Sequence, residues 1–530
     1  MKVNKLFLSA AVVLGLGLTG CSNDDDVPSG EKGNTNVSVT LKMSAGAQTK
    51  ALPNDYNYIG EWAGKDDIKT VTVYLVDGSS VTSKSLEVGA SGSGKDYEKI
   101  VSGSDITLVP KTVNAAIKTT AGTKKVYVLV NGTAQVVTAL AKTPVAEFED
   151  AYSQVALAMA NSGISTTVST SADKLAVKNG TTDEKIVMTN VEPKTIVVEA
   201  NVTDTETLAA TAPKNRVSLN VERAVARVMV STAATTYIVP SAGGSPLGTI
   251  TDINWVLAQG ENSLYIQRKA DYATPNFGFI PTEATYAAQA GNKYDYSGLF
   301  ENYVAADQFG GTPVATMADY AENTRFDKVT AELNEKLSGK FILPTTHEYG
   351  AGAASKYKKG NTAYVLIRAK FTPAPAAFAD GLPYTAGADF FVGANGKLYT
   401  TSANAVDPAK GGVTDQSVAK YVKGKVLYYA WVNPDAVPAW YNSPVIRNNV
   451  YHIHITGFKN LGTNWNPLYP EDPNSTSPKN PDPKPSVPGV TEPENPIVPT
   501  DPLTTSETWM SVDVKVLPWK LHSYSVSPGI

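Results

Sequence analysis

The sequence predicts a mostly β chain: two antiparallel β-sandwich domains with few helices, and an additional strand at either end. Three observations predict it. Short β-branched or aromatic runs recur along the chain, separated by Gly, Asn, Asp or Pro. Only one stretch has a persuasive helical period. The chain has 530 residues, whereas a single core rarely grows past about 250 to 300, so two domains are expected.

The first element is not part of the fold. Lys2 and Lys5 precede a mainly apolar run over residues 6–18, and Leu18, Thr19, Gly20 and Cys21 follow. A charged start, a short apolar run and small residues before a cleavage point make a signal peptide, residues 1–20. The run is shorter than the roughly 20 apolar residues that a permanent membrane helix needs. The four residues ending at Cys21 resemble a bacterial lipobox, which implies lipid on the Cys21 thiol. Cys21 is the one cysteine of the chain, so an internal disulfide and a thiol-ligated metal site are both excluded. Asp24, Asp25 and Asp26 follow it closely and resemble the acidic export tag of Bacteroidetes lipoproteins.

The first folded element alternates. Val37, Val39, Leu41 and Met43 share one side, with Ser38, Thr40 and Lys42 between them, as in a half-buried strand. A small polar loop, residues 44–50, leads to a second strand at 68–76, which ends on Asp77 and Gly78. Further strands are expected at 125–130, 185–188 and 195–198. The helix is expected over 145–159, where Phe148, Tyr152, Val155 and Met159 recur every three or four residues.

A polar stretch, 203–214, separates this set from a second strand-rich region, and the boundary is set at Ala212. Later runs at 216–230, 341–343, 363–371, 389–392, 426–432 and 450–456 complete the second domain. The resulting division is a signal peptide (1–20), a propeptide with the first strand (21–50), two domains (51–212 and 213–466), a Pro-rich connector (467–503) and a C-terminal strand segment (504–530). Proline lacks the ladder donor, so the connector is expected to be extended and stiff. Beyond it, Met510, Val512, Val514 and Val516 alternate with Ser511, Asp513 and Lys515. An apolar strand on a long tether has the reach to meet another molecule.

Composition narrows the function. A formal net charge of −4 with scattered Lys and Arg gives no electrostatic case for nucleic acid. Of the four histidines, His452 and His454 share a strand face, but no Asp or Glu close in sequence completes a metal site. His347 beside Glu348 has no identifiable nucleophile, and the Gly-rich residues 91–95 lack the spacing of a phosphate loop. No catalytic residue, metal or cofactor is therefore assigned, and the chain is not expected to be an enzyme. Trp62, Trp255, Trp440 and Trp465 read as exposed aromatics that could stack on sugars, which leaves a surface glycan-binding lipoprotein as the alternative from another class.

Several strings resemble the major fimbrillins of Bacteroidetes type V pili. They are residues 187–197 (VMTNVEPKTIV), 221–227 (VERAVAR), 345–347 (TTH), 391–397 (FVGANGK), 446–451 (IRNNVY) and 512–519 (VDVKVLPW), and their order along the chain carries the likeness. The size and the proline-rich connector are closer to the stalk subunit of short fimbriae. The resemblance implies two transthyretin-like sandwiches and a lipidated precursor at the outer membrane. It also implies an Arg- or Lys-specific protease that removes the first strand, and a donor strand from another copy that replaces it. Carried onto this chain, the removable strand is Val37, Val39, Leu41 and Met43, the cut falls between Lys50 and Ala51, and the donor is Met510, Val512, Val514 and Val516. The best-known members cut after Arg, whereas Lys50 stands here. The implied partners are copies of the chain, head to tail, with anchor and tip subunits. An anchor keeps its first strand and a tip commonly lacks a free donor, so the presence of both strands favours the stalk over those accessory roles. The implied role is a stalk supporting adhesion and biofilm formation.

Overall fold

The computed structural model describes residues 34–43, 62–154, 175–471, 479–503 and 510–518, apart from 103–104, 142, 180–182, 242, 285, 304–308, 322 and 436–440. Strands dominate. The N-terminal part is built from β1 (Thr35–Met43), β2 (Thr70–Val76), β3 (Val81–Ala90), β4 (Tyr97–Ser102), β5 (Asp105–Pro110), β6 (Ile117–Thr119), β7 (Gly122–Val130), β8 (Met188–Asn190), β9 (Lys194–Val198) and β10 (Arg216–Arg223). Their ladder runs β8, β10, β1, β5, β4, β3, β2, β7, and β8 pairs with β7 as well, so the path closes into a barrel. Closure leaves none of these eight strands as a free edge.

The barrel departs from the antiparallel expectation at two places. β1 runs parallel to β10, and β3 runs parallel to β4. Antiparallel neighbours are easily joined by tight turns, whereas β1 and β10 are separated by the whole barrel sequence, so no hairpin fixes their direction. The alternation nevertheless set the faces correctly. Val37, Val39 and Leu41 join Val71, Val73, Val128, Val217 and Leu219 in the barrel core.

The second part holds two sheets that share one core. In the first, β11 (Ala226–Thr232) pairs with β15 (Asn449–Phe458), which pairs with β16 (Met510–Pro518). In the second, β12 (Pro246–Ala258), β13 (Tyr364–Pro373) and β14 (Lys425–Trp431) lie side by side. Val228, Val230, Tyr451, Ile453 and Ile455 of the first meet Trp255, Val365, Ile367, Val426 and Tyr428 of the second.

Helices are few and short, as expected: Ala134–Ala141, Val145–Gln154 and Arg325–Lys336 are the longest described. Phe148 and Tyr152 are buried against Tyr74 and Tyr127, as their spacing implied. Val155 and Met159 lie outside the described residues.

The Pro-rich segment, expected as an extended and stiff connector, is anchored to the protein at several points. Leu468, Ile497 and Leu503 are buried against Val256, Tyr364, Leu366, Leu427, Tyr429 and Trp431, on the outer face of the β12 to β14 sheet. Asp482 is 1% exposed and bonds Arg368 at 2.6 Å and Lys425 at 3.2 Å. Burial alone would raise this carboxyl, but the two cations more than offset it and hold it below the usual carboxylate range. The cause is legible in β13. Tyr364, Val365, Leu366 and Ile367 are apolar in succession, so both faces of that sheet need cover, and a few well-spaced anchors on a proline-rich strap supply it.

Candidate functional site

The site is the slot that β1 occupies. On one side, residues 38–42 pair with 216–220 of β10; on the other, residues 41–43 pair with β5 and residues 35–37 with β6. Val37, Val39 and Leu41 are 0% exposed and Met43 is 9% exposed. At roughly 1.5 to 3 kcal/mol for each buried apolar side chain, this strand is a main support of the barrel. Its removal would open a two-sided groove with an apolar floor.

The other face of β1 is tied by polar groups that the alternation did not reveal. Thr203 and Glu206 form a capping box that starts the turn of helix Asp204–Thr207. That turn lays the Thr207 carbonyl over β1, where it accepts from Ser38 Oγ at 2.8 Å. Ser38 Oγ in turn accepts from Thr207 Oγ1 at 3.0 Å and from Arg216 Nε at 2.9 Å. Asn215 Nδ2 donates to Thr35 Oγ1, to the Asn36 carbonyl and to the Glu199 carbonyl. Inside, the Tyr97 hydroxyl donates to the Val39 carbonyl at 2.8 Å. Arg216 Nη2 is buried without a hydrogen-bond partner among the described residues, and burial pushes its guanidinium below the ordinary value. The sequence signal for this layer was the capping box itself, T-x-x-E at 203–206.

The junction between the two parts explains the 221–227 string. Arg223 pairs with Asp66 and Arg227 with Glu184, both inside the protein. Arg227 also lies 5.1 Å over the Trp62 ring and 5.0 Å over Phe341. Trp62 Nε1 donates to Asn334 at 2.8 Å. Residues from both parts therefore share one apolar cluster, with Tyr74, Val187 and Ala224 beside Met229, Phe341 and Val450.

The donor segment is found on its own chain. Met510, Val512, Val514 and Val516 stand opposite Phe458, Ile455, Ile453 and Tyr451 of β15, antiparallel. It is thus separate from the β1 slot in this structure. Cys21, Lys50, Ala51 and Trp440 lie outside the described residues.

The remaining candidates are structural. Ser231 Oγ lies 2.7 Å from His452 Nε2 and 2.7 Å from His454 Nδ1, and Tyr320 packs on both rings. His347 sits between the carbonyls of Phe277 and Asn361 at 3.1 and 2.8 Å. Among the described residues no group of three or more His, Cys, Asp or Glu is placed to hold a metal, and no helix is long and apolar enough to cross a membrane. Trp62 and Trp255 are buried at 2% and 3% exposure, so they are not the surface stacking platforms the glycan alternative needs. Trp465 is partly exposed, with Lys484 5.9 Å from its ring centre.

Comparison with known proteins agrees with the resemblance. Residues 419–525 match the family model for the major fimbrial subunit protein type IV, fimbrillin, C-terminal. Two sequences of the minor fimbrium subunit Mfa1 of Porphyromonas gingivalis are each 32% identical over 546 aligned positions, covering 99% of this chain and 100% of theirs. Among solved structures, a candidate cell adhesion protein from Parabacteroides distasonis aligns over 92% of this chain and all of its own at 11% identity and a TM-score of 0.39. The tip fimbrial protein Mfa3 of Porphyromonas gingivalis aligns over 79% of this chain and 95% of its own at 10% identity and a TM-score of 0.30. With full-length identity to a minor fimbrium subunit and a fimbrillin signature at its C-terminal end, this chain belongs to the fimbrillin family of Bacteroidetes type V fimbriae.

Proposed function

We propose that this chain is the structural stalk subunit of a type V fimbria, not an enzyme, and that it polymerises by strand exchange. The observation that carries the reading is the β1 slot. The first strand of the chain is an interior strand of a closed barrel, with Val37, Val39 and Leu41 fully buried, and it lies upstream of Lys50. A cut between Lys50 and Ala51 separates that strand from every other described element.

In this reading the precursor is exported, lipidated on Cys21 and displayed on the outer membrane. An Arg- or Lys-specific protease releases β1, and Met510, Val512, Val514 and Val516 of another copy fill the groove. Strand addition of this kind restores main-chain ladders and side-chain pockets together. Donor and groove are different surfaces, so repetition is head to tail and the polymer is open. The two parts act as two transthyretin-like domains, the first a closed barrel that takes its last strand, β10, from beyond the residue 212 boundary, and the second a pair of facing sheets. Anchor and tip subunits complete the fimbrium at the cell surface, where the stalk supports adhesion and biofilm formation.

The test is Lys50→Ala on cells. Lipidated monomer should accumulate in the outer membrane, while wild-type filaments should begin at Ala51 by mass spectrometry. Filaments built throughout from subunits that retain Cys21 would refute the reading, and a glycan-binding lipoprotein would show no filament in either case.

A further inference from the structure

The donor strand copies β1 more closely than its apolar period requires. Residues 37–43 read VSVTLKM and residues 510–516 read MSVDVKV. With Met510 on the Val37 position, Ser511 falls on Ser38, Val512 on Val39 and Lys515 on Lys42. The change on the polar face is Asp513 in place of Thr40. Ser38 is the residue whose hydroxyl is fully buried between Thr207 and Arg216. Thr40 stands next to Ser218 and one diagonal step from Arg216 on the same face, within reach of an arginine side chain.

We propose that Ser511 and Asp513 set the register and direction of the donor strand in the groove of the next copy: Ser511 takes the place of Ser38, and Asp513 supplies the carboxylate that Arg216 Nη2 lacks in the self-capped chain. The proposal rests on the exchange reading above. It follows from excluding the alternatives at the Ser38 position, which has no room and no solvent. A shift of two residues one way brings Asp513 there, and a carboxylate has no proton to give the Thr207 carbonyl. A shift of two the other way brings Trp509, far too large for a serine site. Reversal of direction brings Lys515, a second cation beside Arg216. The remaining register keeps every hydrogen bond of Ser38 and adds a charge-assisted one, the stronger kind. The groove therefore holds a donor strand better than it holds its own β1.

Filaments sheared from cells test this with paired cysteines, since the one native cysteine lies upstream of Lys50. Lys42 pairs with Asn220 of β10 and Thr40 with Ser218. Lys515→Cys combined with Asn220→Cys should give a covalent ladder between subunits under oxidation, and Lys515→Cys with Ser218→Cys should not. A ladder from the Ser218 pair alone would overturn the register while leaving exchange in place. Filaments that form with no ladder from either pair would overturn exchange itself, and this inference with it. Asp513→Asn should leave the register unchanged but make sheared filaments fall to monomer about tenfold sooner in denaturant. Ser511→Ala should admit the Ser218 cross-link, because it removes the hydroxyl that fits the Ser38 position. Unchanged filament stability for Asp513→Asn together with an unchanged register for Ser511→Ala would also overturn the proposal.

Discussion

Leu41→Ala should make the protein polymerise faster, although it lowers the stability of the chain that carries it. Leu41 stands between Leu219 of β10 and Leu108 of β5 and is fully buried. Truncation of such a residue costs about 2 to 5 kcal/mol. The four apolar side chains of β1 together contribute on the order of 6 to 12 kcal/mol to its hold on the barrel. In the proposed exchange, once Lys50 is cut, β1 is kept in place by these contacts, its ladders and the polar ties of Thr35, Asn36 and Ser38, so polymer growth waits for it to leave. The alanine weakens only the outgoing strand; donor and groove are unaltered. Its departure should then accelerate by about thirty-fold to a few thousand-fold, since each 1.4 kcal/mol is a factor of ten. Urea unfolding of the uncut chain measures the lost stability, and a time course of SDS-resistant polymer after protease addition measures the rate. Lower stability with unchanged or slower polymerisation would refute the argument that release of β1 limits growth.

Two further outcomes follow from buried charge. Burial pushes the Glu261 carboxyl up to about 8, against hydrogen bonds from Thr274 and Asn276 that lower it. The folded state then holds a proton that the unfolded state releases near 4.3, so stability should fall as pH rises from about 4.5 to about 8, and Glu261→Gln should flatten that slope in urea titrations across the range. Asp482→Asn should cost about 3 to 5 kcal/mol, because Arg368 and Lys425 would be left as buried cations, and should expose residues 479–503 to limited proteolysis. Unchanged melting with a protected strap would show that the charge is dispensable.

The barrel core was legible because a period of two is unambiguous: Val37, Val39, Leu41 and Met43 all face inward. The resemblance carried the family, and the string at 221–227 proved to be the junction, with Arg223 and Arg227 neutralised by Asp66 and Glu184. Alternation assigns faces but not neighbours, so neither the parallel pairing of β1 with β10 nor the closure of the barrel through β8 could be read from it. The strap was hidden for a different reason. Composition averages out Leu468, Asp482, Ile497 and Leu503 among prolines, yet these isolated residues anchor it. The aromatic residues misled as well, since tryptophan identity says nothing about exposure and Trp62 and Trp255 are core residues.

The strap changes how the proposed exchange works. With Leu503 buried on the sheet, the reach of the donor strand is counted from there and not from residue 467. Six residues, about 20 Å when extended, separate Leu503 from Met510, so the groove of the next copy must come close to the sheet that carries the strap. Among the described residues of its own chain, β16 has a single ladder, with β15. In the slot of β1 a strand has ladders on both sides. The groove is therefore the better site for the donor, yet an uncut chain offers no groove, because a tethered β1 competes at the effective concentration of an intramolecular partner, of millimolar order. The proposed cleavage at Lys50 would remove that advantage without touching donor or groove, and the freed strand would be lost by dilution. In the proposed exchange, control of assembly thus resides in the Lys50–Ala51 peptide bond and not in the affinity of the donor, which can be strong at all times without polymerising the precursor.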